Sequence, residues 1–389
     1  MDRIYLDHHA TTPVDPVVLQ EMLPYFSERF GNPSSRQHSF GEEADRAVQE
    51  AREAVAGLIA ATPADIVFTS GATESNNLAI RGTARAAGRG HLVVTAIEHA
   101  AVLEPCRTLE REGFGVTRVP VAPSGIVAVD AIASALRPET ILVSVMAANN
   151  EVGTLQPIAE IGRLCRERGI VFHTDAVQAA GRVTIDVDAW GVDLMSLSAH
   201  KMYGPKGVGA LYMRKDRKPR LRMAPQMEGG GQEKGVRSGT LNVPGIVGLG
   251  AAGRVAAAAL RDGEATRIGA LRDRLLEGLR SRIDGIEVNG ALAPRLPGNL
   301  HLSIPRAEAE TLILSLGGRI AISSGAACAE AGGKGSHVLR ALGLGDDRIY
   351  TALRFGIGRF NTPAEIDSVV DALATAAAVA RTRSSAAAR

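Results

Sequence analysis

Short apolar runs alternate along this chain with longer stretches whose apolar residues return at helical spacing. Ile66-Val67-Phe68 leads into a Gly-Ala-Thr-Glu turn and a helix. Leu92-Val93-Val94 precedes a helix near 100–112, and the run Ile141–Met146 precedes one near 158–168. Ile170–Phe172, Leu194–Leu197 and Gly209–Met213 are further strand-like runs. Strands alternating with covering helices predict an α/β layer structure with a mostly parallel central sheet. The Ala-rich segment 246–283 reads as one long helix that bridges to a second domain. Beyond it the order changes to Leu300–Ile304, a helix over 307–316, Ile320–Ser323, a glycine-rich loop, a strand over 350–357 and a helix over 363–380. This predicts a smaller α+β domain. There are no internal repeats, and the Ala/Arg/Ser tail after about 381 is expected to fray.

Bulk properties narrow the classes. The 389 residues are too many for one ordinary core, so a large and a small domain are expected. We place the large one at 15–258 and the small one at 1–14 together with 259–389. A net charge of +2 gives no electrostatic case for nucleic acid or an anionic membrane. No apolar run is expected to reach the roughly 18–20 residues of a membrane span. The N-terminus enters Ile4-Tyr5-Leu6 without the regions of a secretory signal, so a cytoplasmic location is expected. Three scattered cysteines argue against a disulfide framework or a zinc cage. The neighbouring His8 and His9 do not suit a single ion, so no metal is expected. The basic run Arg214, Lys215, Arg217, Lys218, Arg220 and Arg222 reads as a solvated hairpin, with a docking patch for an acidic partner as the sharper reading.

Two segments carry chemistry. Ile170–Gln178 is an apolar run that ends in His-Thr-Asp-Ala-Val-Gln, and Ser196–Gly209 continues Ser-Leu-Ser into Ala-His-Lys-Met-Tyr-Gly-Pro-Lys-Gly. A lysine at the end of one strand and an aspartate at the end of another suit pyridoxal phosphate (PLP). The amine forms a Schiff base with the cofactor aldehyde, and the carboxylate keeps the pyridine nitrogen protonated so that the ring accepts electrons. No Gly-x-Gly-x-x-Gly opens a helix after the first strand, which argues against a dinucleotide fold. Thr69-Ser70-Gly71-Ala72-Thr73-Glu74 is a turn into a helix whose free amides favour an anion, although Ser70 or Thr73 as an ordinary cap is the plainer reading of that segment alone. Gly229-Gly230-Gly231 through Thr240 is a second, weaker candidate for anion donors.

With these motifs the chain resembles the cysteine desulfurases of the NifS/IscS type, a branch of the class V aminotransferase family with the fold type I of PLP-dependent transferases. The matching pieces are Leu-Asp-His-His-Ala-Thr-Thr-Pro at 6–13, Phe-Gly-Asn-Pro-Ser-Ser at 30–35, Thr-Ser-Gly-Ala-Thr-Glu-Ser-Asn-Asn at 69–77, Asn-Asn-Glu-Val-Gly at 149–153, His-Thr-Asp-Ala-Val-Gln at 173–178, the lysine segment at 199–207, Arg-Ser-Gly-Thr at 237–240 and Ser-Ser-Gly-Ala-Ala-Cys at 323–328. They run from Tyr5 to about Phe360. The resemblance implies that Lys201 is the Schiff-base lysine, Asp175 the partner of the pyridinium nitrogen, and Gln178 a donor to the phenolic oxygen. His99 stacks on the ring and helps move protons. Ala72, Thr73, Ser198 and His200 hold the phosphate. Thr240 reaches the phosphate of a neighbouring subunit, which implies a homodimer. Asn150 and Arg354 hold the substrate carboxylate, a task that suits an arginine fork. Lone residues of these kinds more often serve as caps, packed histidines or surface ion pairs.

Cys328 decides the reaction implied. It lies between Ser323-Ser324-Gly325 and Gly332-Gly333-Lys334-Gly335, and glycine on both sides predicts an exposed loop. Cys106 and Cys165 fall in helical patterns and read as small buried hydrophobes. By resemblance, Lys201 removes the α-proton of L-cysteine, the Cys328 thiolate takes the substrate sulfur as a persulfide, and alanine leaves. A sulfur-acceptor protein for Fe–S assembly or tRNA thiolation is the implied partner, and Cys328 is a candidate for transient cluster ligation. Two departures from the family pattern stand out: Ala-Glu-Ala-Gly-Gly-Lys-Gly after Cys328, and a tail over 370–389 without a recognisable scaffold-docking sequence. The alternatives are a selenocysteine lyase, another class V enzyme without the persulfide, and a non-catalytic PLP-binding scaffold.

Overall fold

The computed structural model describes residues 3–324 and 335–387, with side-chain surroundings described as far as Thr382. Strand β1 (Ile4–Tyr5) opens the chain and crosses to its C-terminal half. The next seven strands form one sheet: β2 (Ile66–Thr69), β3 (His91–Thr95), β4 (Gly115–Val119), β5 (Thr140–Ser144), β6 (Val171–Asp175), β7 (Leu194–Ser198) and β8 (Gly209–Met213). Their spatial order is β2-β8-β7-β6-β5-β3-β4. The β3–β4, β3–β5, β5–β6 and β6–β7 pairs are parallel, and β8 runs antiparallel between β2 and β7. Strands covered by helices on both faces bury every side chain, so β3, β7 and β8 are buried along their whole length and mostly apolar. Gly115–Val119 escaped the sequence reading. It is an edge strand, mostly half-exposed, and its Gly-Val-Thr-Arg-Val carries no apolar run.

The expected long helix over 246–283 is two helices, Val243–Arg261 and Glu264–Arg282. Gly263 adopts φ 80° between them, a left-handed turn that ends a helix cheaply only at glycine. The first helix also corrects the expectation about apolar runs, since by length and composition it matches a membrane span. Most of it is buried inside the protein, packed on helix Ser39–Leu58. A Cβ on Gly250 would lie 2.6 Å from Ala51 Cα, so its small residues serve close helix packing.

The C-terminal part holds β9 (Glu287–Val288), β10 (Asn299–Ser303), β11 (Ile320–Ala321), β12 (Ser323–Ser324) and β13 (Ala352–Gly356). The expected strand Ile320–Ser323 is split. Its first half pairs with β1, while β12 joins the antiparallel order β12-β13-β10-β9. Helix Pro363–Ala387 continues past its expected end near 380, as an Ala-rich sequence favours, so the backbone expected to fray is helical. The run 214–222 is not a hairpin of free cations. Arg214 pairs with Asp188 at 2.6 Å and Arg217 with Asp193 at 3.2 Å. Separate apolar cores gather around Phe68, Phe172 and Leu249 in one part and around Leu6, Leu275 and Phe355 in the other.

Candidate active site

Parallel strands β6 and β7 end side by side, with Asp175 registered against Ser196. The C-terminal ends of such strands are where α/β sheets collect their ligand-binding groups. Asp175 is buried. Its Oδ2 accepts from Asn76 Nδ2 at 2.7 Å, and its Oδ1 accepts from the Val177 amide at 3.0 Å. The carboxylate is therefore held from two sides. Asn76 was missed by sequence reasoning, which looked for the acid and not for the buried amide that orients it.

After β7 the chain makes one turn of 3-10 helix, Ala199–Lys201. The N-terminal segment locks this turn. Thr12 Oγ1 donates to the His200 carbonyl at 3.0 Å, the Tyr203 amide reaches the same hydroxyl at 2.8 Å, and Thr11 Oγ1 lies 3.1 Å from His200 Nδ1. Tyr203 sits at φ 63°, a strained conformation for a bulky residue, and its hydroxyl accepts from the Arg359 amide at 2.5 Å. Lys201 Nζ donates to the carbonyls of His9 at 2.7 Å and Ala10 at 2.6 Å. Burial, then the charges of Arg182 and Arg354, push its amine down to about 8. Burial, reinforced by Lys201 and Lys206, lowers His200 to about 4, so that ring is neutral at pH 7.

Gln178 turns its Nε2 to the His9 carbonyl at 3.0 Å. Its Oε1 accepts from Arg182 Nη1 at 2.5 Å and lies 3.0 Å from His9 Nδ1. Arg182, also missed from sequence, is a central hub of this corner.

Ala72 and Thr73 begin helix Ala72–Ala87 directly after Gly71. No side chain caps this helix, which corrects the plainer reading of Ser70 or Thr73 as a cap. The Ser70 amide instead donates to Glu74 at 2.7 Å, and Glu74 pairs with Arg237 at 2.8 Å. Gly71 takes φ 149°, and a Cβ there would meet nothing within 4 Å, so open space faces the helix start. Gly209 closes the other side: its Cβ would lie 2.8 Å from Gly71 Cα. Gly209 pairs with Ser198, which brings Ser198 to the same place. Thr240 is exposed and lines a cleft of about 90 Å³ with Ser70, Gly207 and Arg237.

His99 is exposed and caps helix Ala100–Arg111, with Nδ1 accepting from the Ala101 amide at 3.1 Å. That bond leaves the ring proton on Nε2. Arg354 donates to the Asn150 carbonyl at 3.2 Å, to Asp7 Oδ1 at 2.9 Å and to Ser323 Oγ at 3.1 Å. Among the described residues its buried Nε has no partner. Cys328 lies outside the described residues. The flanks of its segment are described: β12 lies beside Arg354, and Ser336 donates to Glu151 while His337 Nε2 lies 3.0 Å from the Glu98 carbonyl. Cys106 and Cys165 are buried in helices, where burial pushes both thiols up to about 12.

These groups fit pyridoxal phosphate. A lysine amine with a lowered pKa stands near an oriented carboxylate, an uncapped helix start opens toward free space, and a buried arginine nitrogen lacks a partner. The fold and this site define a PLP-dependent enzyme. The chain belongs to the class-V aminotransferase family, whose model, described as aminotransferase class-V, matches residues 4–369. It is 54% identical over 370 residues to cysteine desulfurase IscS of Anaeromyxobacter dehalogenans, covering 94% of this chain and 90% of that one. It is 51% identical over 370 residues to cysteine desulfurase IscS of Rickettsia akari, covering 95% and 89%. Among solved structures, one titled NifS-like protein superposes with a TM-score of 0.90 at 37% identity, covering 97% of this chain and 100% of that one.

Proposed function

We infer that this chain is a PLP-dependent cysteine desulfurase, which takes the sulfur from L-cysteine and leaves L-alanine. The carrying observation is the amine of Lys201, lowered to about 8 beside the carboxylate of Asp175. A lysine held near neutrality serves both as nucleophile and as base, which an ordinary ammonium does not. The identity to desulfurases over nearly the whole chain supports the same reading.

The bound cofactor supplies an aldehyde for the amine and a ring that accepts electrons from the substrate α-carbon. The residues of this chain divide the remaining work. Lys201 Nζ takes the α-proton. Asp175, oriented by Asn76 and the Val177 amide, faces the pyridine nitrogen. Gln178 would meet the phenolic oxygen, and His99 would cover the ring and help move protons. Ala72, Thr73, Ser198 and His200 hold the phosphate, with neutral His200 donating rather than adding charge. Arg354 Nε and the side chain of Asn150 take the substrate carboxylate. The Cys328 thiolate attacks the substrate sulfur, a C–S bond breaks, an S–S bond forms, and Cys328 carries the persulfide to an acceptor protein.

The chain acts as a homodimer in which Thr240 completes the partner's phosphate site. The exposed Phe30 and Phe40, with ring centroids 5.6 Å apart, support an interface on this side, because adjacent exposed apolar side chains mark one. The division into 15–258 and 1–14 with 259–389 is supported by the two apolar cores. The buried free thiols of Cys106 and Cys165 suit a reducing cytoplasm.

The test is to mix the yellow protein with L-cysteine and an excess thiol reductant, which frees the persulfide sulfur as sulfide, and to assay sulfide and alanine, alongside Lys201→Ala. Alanine and sulfide in equal amounts from the wild type, and neither from the variant, are expected. A variant that kept both the yellow band and sulfide release would overturn the assignment of Lys201.

A further inference from the structure

Arg182 lies in the turn after β6, at the back of the reactive lysine. Its guanidinium makes three clear donations: Nη1 to Gln178 Oε1 at 2.5 Å, and Nη2 to the carbonyls of His8 at 2.8 Å and Lys201 at 3.1 Å. Nη1 also lies 3.0 Å from His9 Nδ1. These partners belong to three separate parts of the chain, and each touches the site. Lys201 Nζ rests on the carbonyls of His9 and Ala10, Gln178 Nε2 rests on the His9 carbonyl, and Arg182 holds the peptide on the near side of both.

Among the described residues no carboxylate pairs with Arg182. The acid whose charge reaches it, Glu264, is committed to a pair with Arg359 at 2.7 Å. A guanidinium is never deprotonated in a protein, so this corner carries a positive charge that no acid neutralises. A second cation nearby is disfavoured, and the titratable groups this charge bears on include Lys201, His8 and His9.

We propose that Arg182 is a positioning residue for the reactive amine: its fan of hydrogen bonds fixes the Lys201 turn and Gln178 against the His8–Ala10 peptide, and its charge disfavours protonation of Lys201. The proposal rests on the reading of Lys201 as the reactive lysine. The groups that face Lys201 are Arg182 from the turn after β6, Arg354 from β13, Asp175 from the end of β6, Asp7 and His9 from the N-terminal segment, and its neighbour His200. Arg182 and Arg354 oppose protonation, while Asp175 and Asp7 favour it. Of the two arginines, Arg354 already shares its charge with Asp7, so Arg182 is the stronger influence.

The test titrates Lys201 directly, in the full chain freed of cofactor, by reductive methylation at a series of pH values and mass spectrometry of the Lys201 peptide. Wild type should reach half-labelling near pH 8. Arg182→Gln keeps hydrogen-bonding capacity but removes the charge, and should move the midpoint up by about one unit. Arg182→Lys keeps the charge with fewer donors, and its midpoint should stay closer to the wild type than to the glutamine variant. Arg182→Met is the second removal of charge should the glutamine variant not fold, with the same upward shift expected. Identical midpoints in wild type and the neutral variant, or equal shifts in the lysine and neutral variants, would overturn the role of Arg182. Neither result touches the assignment of Lys201, which fails separately if Lys201→Ala keeps the yellow band.

Discussion

Asn76 and Asp175 are 99 residues apart in sequence, yet Asn76 Nδ2 donates to Asp175 Oδ2 at 2.7 Å inside the protein. Both residues are buried. One lies near the start of helix Ala72–Ala87, the other ends β6, so this hydrogen bond ties the helix start to the strand end.

Asn76→Ala should cut this tie and leave one oxygen of a buried carboxylate without its donor. Loss of such a partner costs about 1–3 kcal/mol. A lower melting temperature is expected, with a larger loss when cofactor is bound, because the orientation of Asp175 matters most there. Calorimetry with and without added cofactor checks this; equal losses in the two states would mean that Asn76 serves stability alone.

Glu98 sets a pH dependence of its own. Burial raises its carboxyl to about 8, while Thr95 Oγ1 and the Met146 amide donate to Oε1 and leave the buried Oε2 without a partner among the described residues. The folded pKa lies above the unfolded one. The stability it contributes is therefore complete below the ordinary carboxyl value of 4.5 and lost as pH rises through about 8. Glu98→Gln keeps the shape without the titration. Relative to wild type, the variant should gain melting temperature between pH 6 and pH 9. A difference that stays constant over that range would show that Glu98 is already ionised in the fold.

Arg354→Lys should raise KM for L-cysteine by about tenfold or more, since a point charge replaces a planar fork whose Nε is free for a carboxylate. The effect on kcat should be smaller. Steady-state kinetics separate the two, and a fall in kcat with KM unchanged would move Arg354 from substrate binding to support of Asp7 and Ser323.

Cys328→Ser should stay yellow and bind L-cysteine but form no persulfide, because a serine hydroxyl is far less nucleophilic at neutral pH. Cys106→Ser and Cys165→Ser should keep activity, since both thiols are buried and held up at about 12, far from the thiolate form. Each is expected to cost stability, by about 1–3 kcal/mol, for burying a hydroxyl. Mass spectrometry after cysteine addition reads the outcome. A persulfide on Cys106 or Cys165, with Cys328 unmodified, would show the wrong thiol had been chosen.

The central sheet was legible because strands covered on both faces are mostly apolar, as Gly209–Met213 is and as Leu194–Leu197 is apart from the buried Ser196. The chemistry was legible where a motif puts a reactive group at a strand end, as with Asp175 and Lys201. The edge strand Gly115–Val119, half-wetted, had no such requirement and left no mark. The break at Gly263 was hidden inside an Ala-rich run, since one glycine in a helical pattern is compatible with either continuing or stopping. Asn76 and Arg182 were not recognisable in advance for a different reason. Their importance lies in what faces them, and the partners arrive from elsewhere in the chain: Asp175 for the one, and the His8–Ala10 peptide with Lys201 and Gln178 for the other. Local sequence determines which groups end each strand. Only folding brings distant segments within hydrogen-bond range, and that proximity decides how each group is oriented and which charge it keeps.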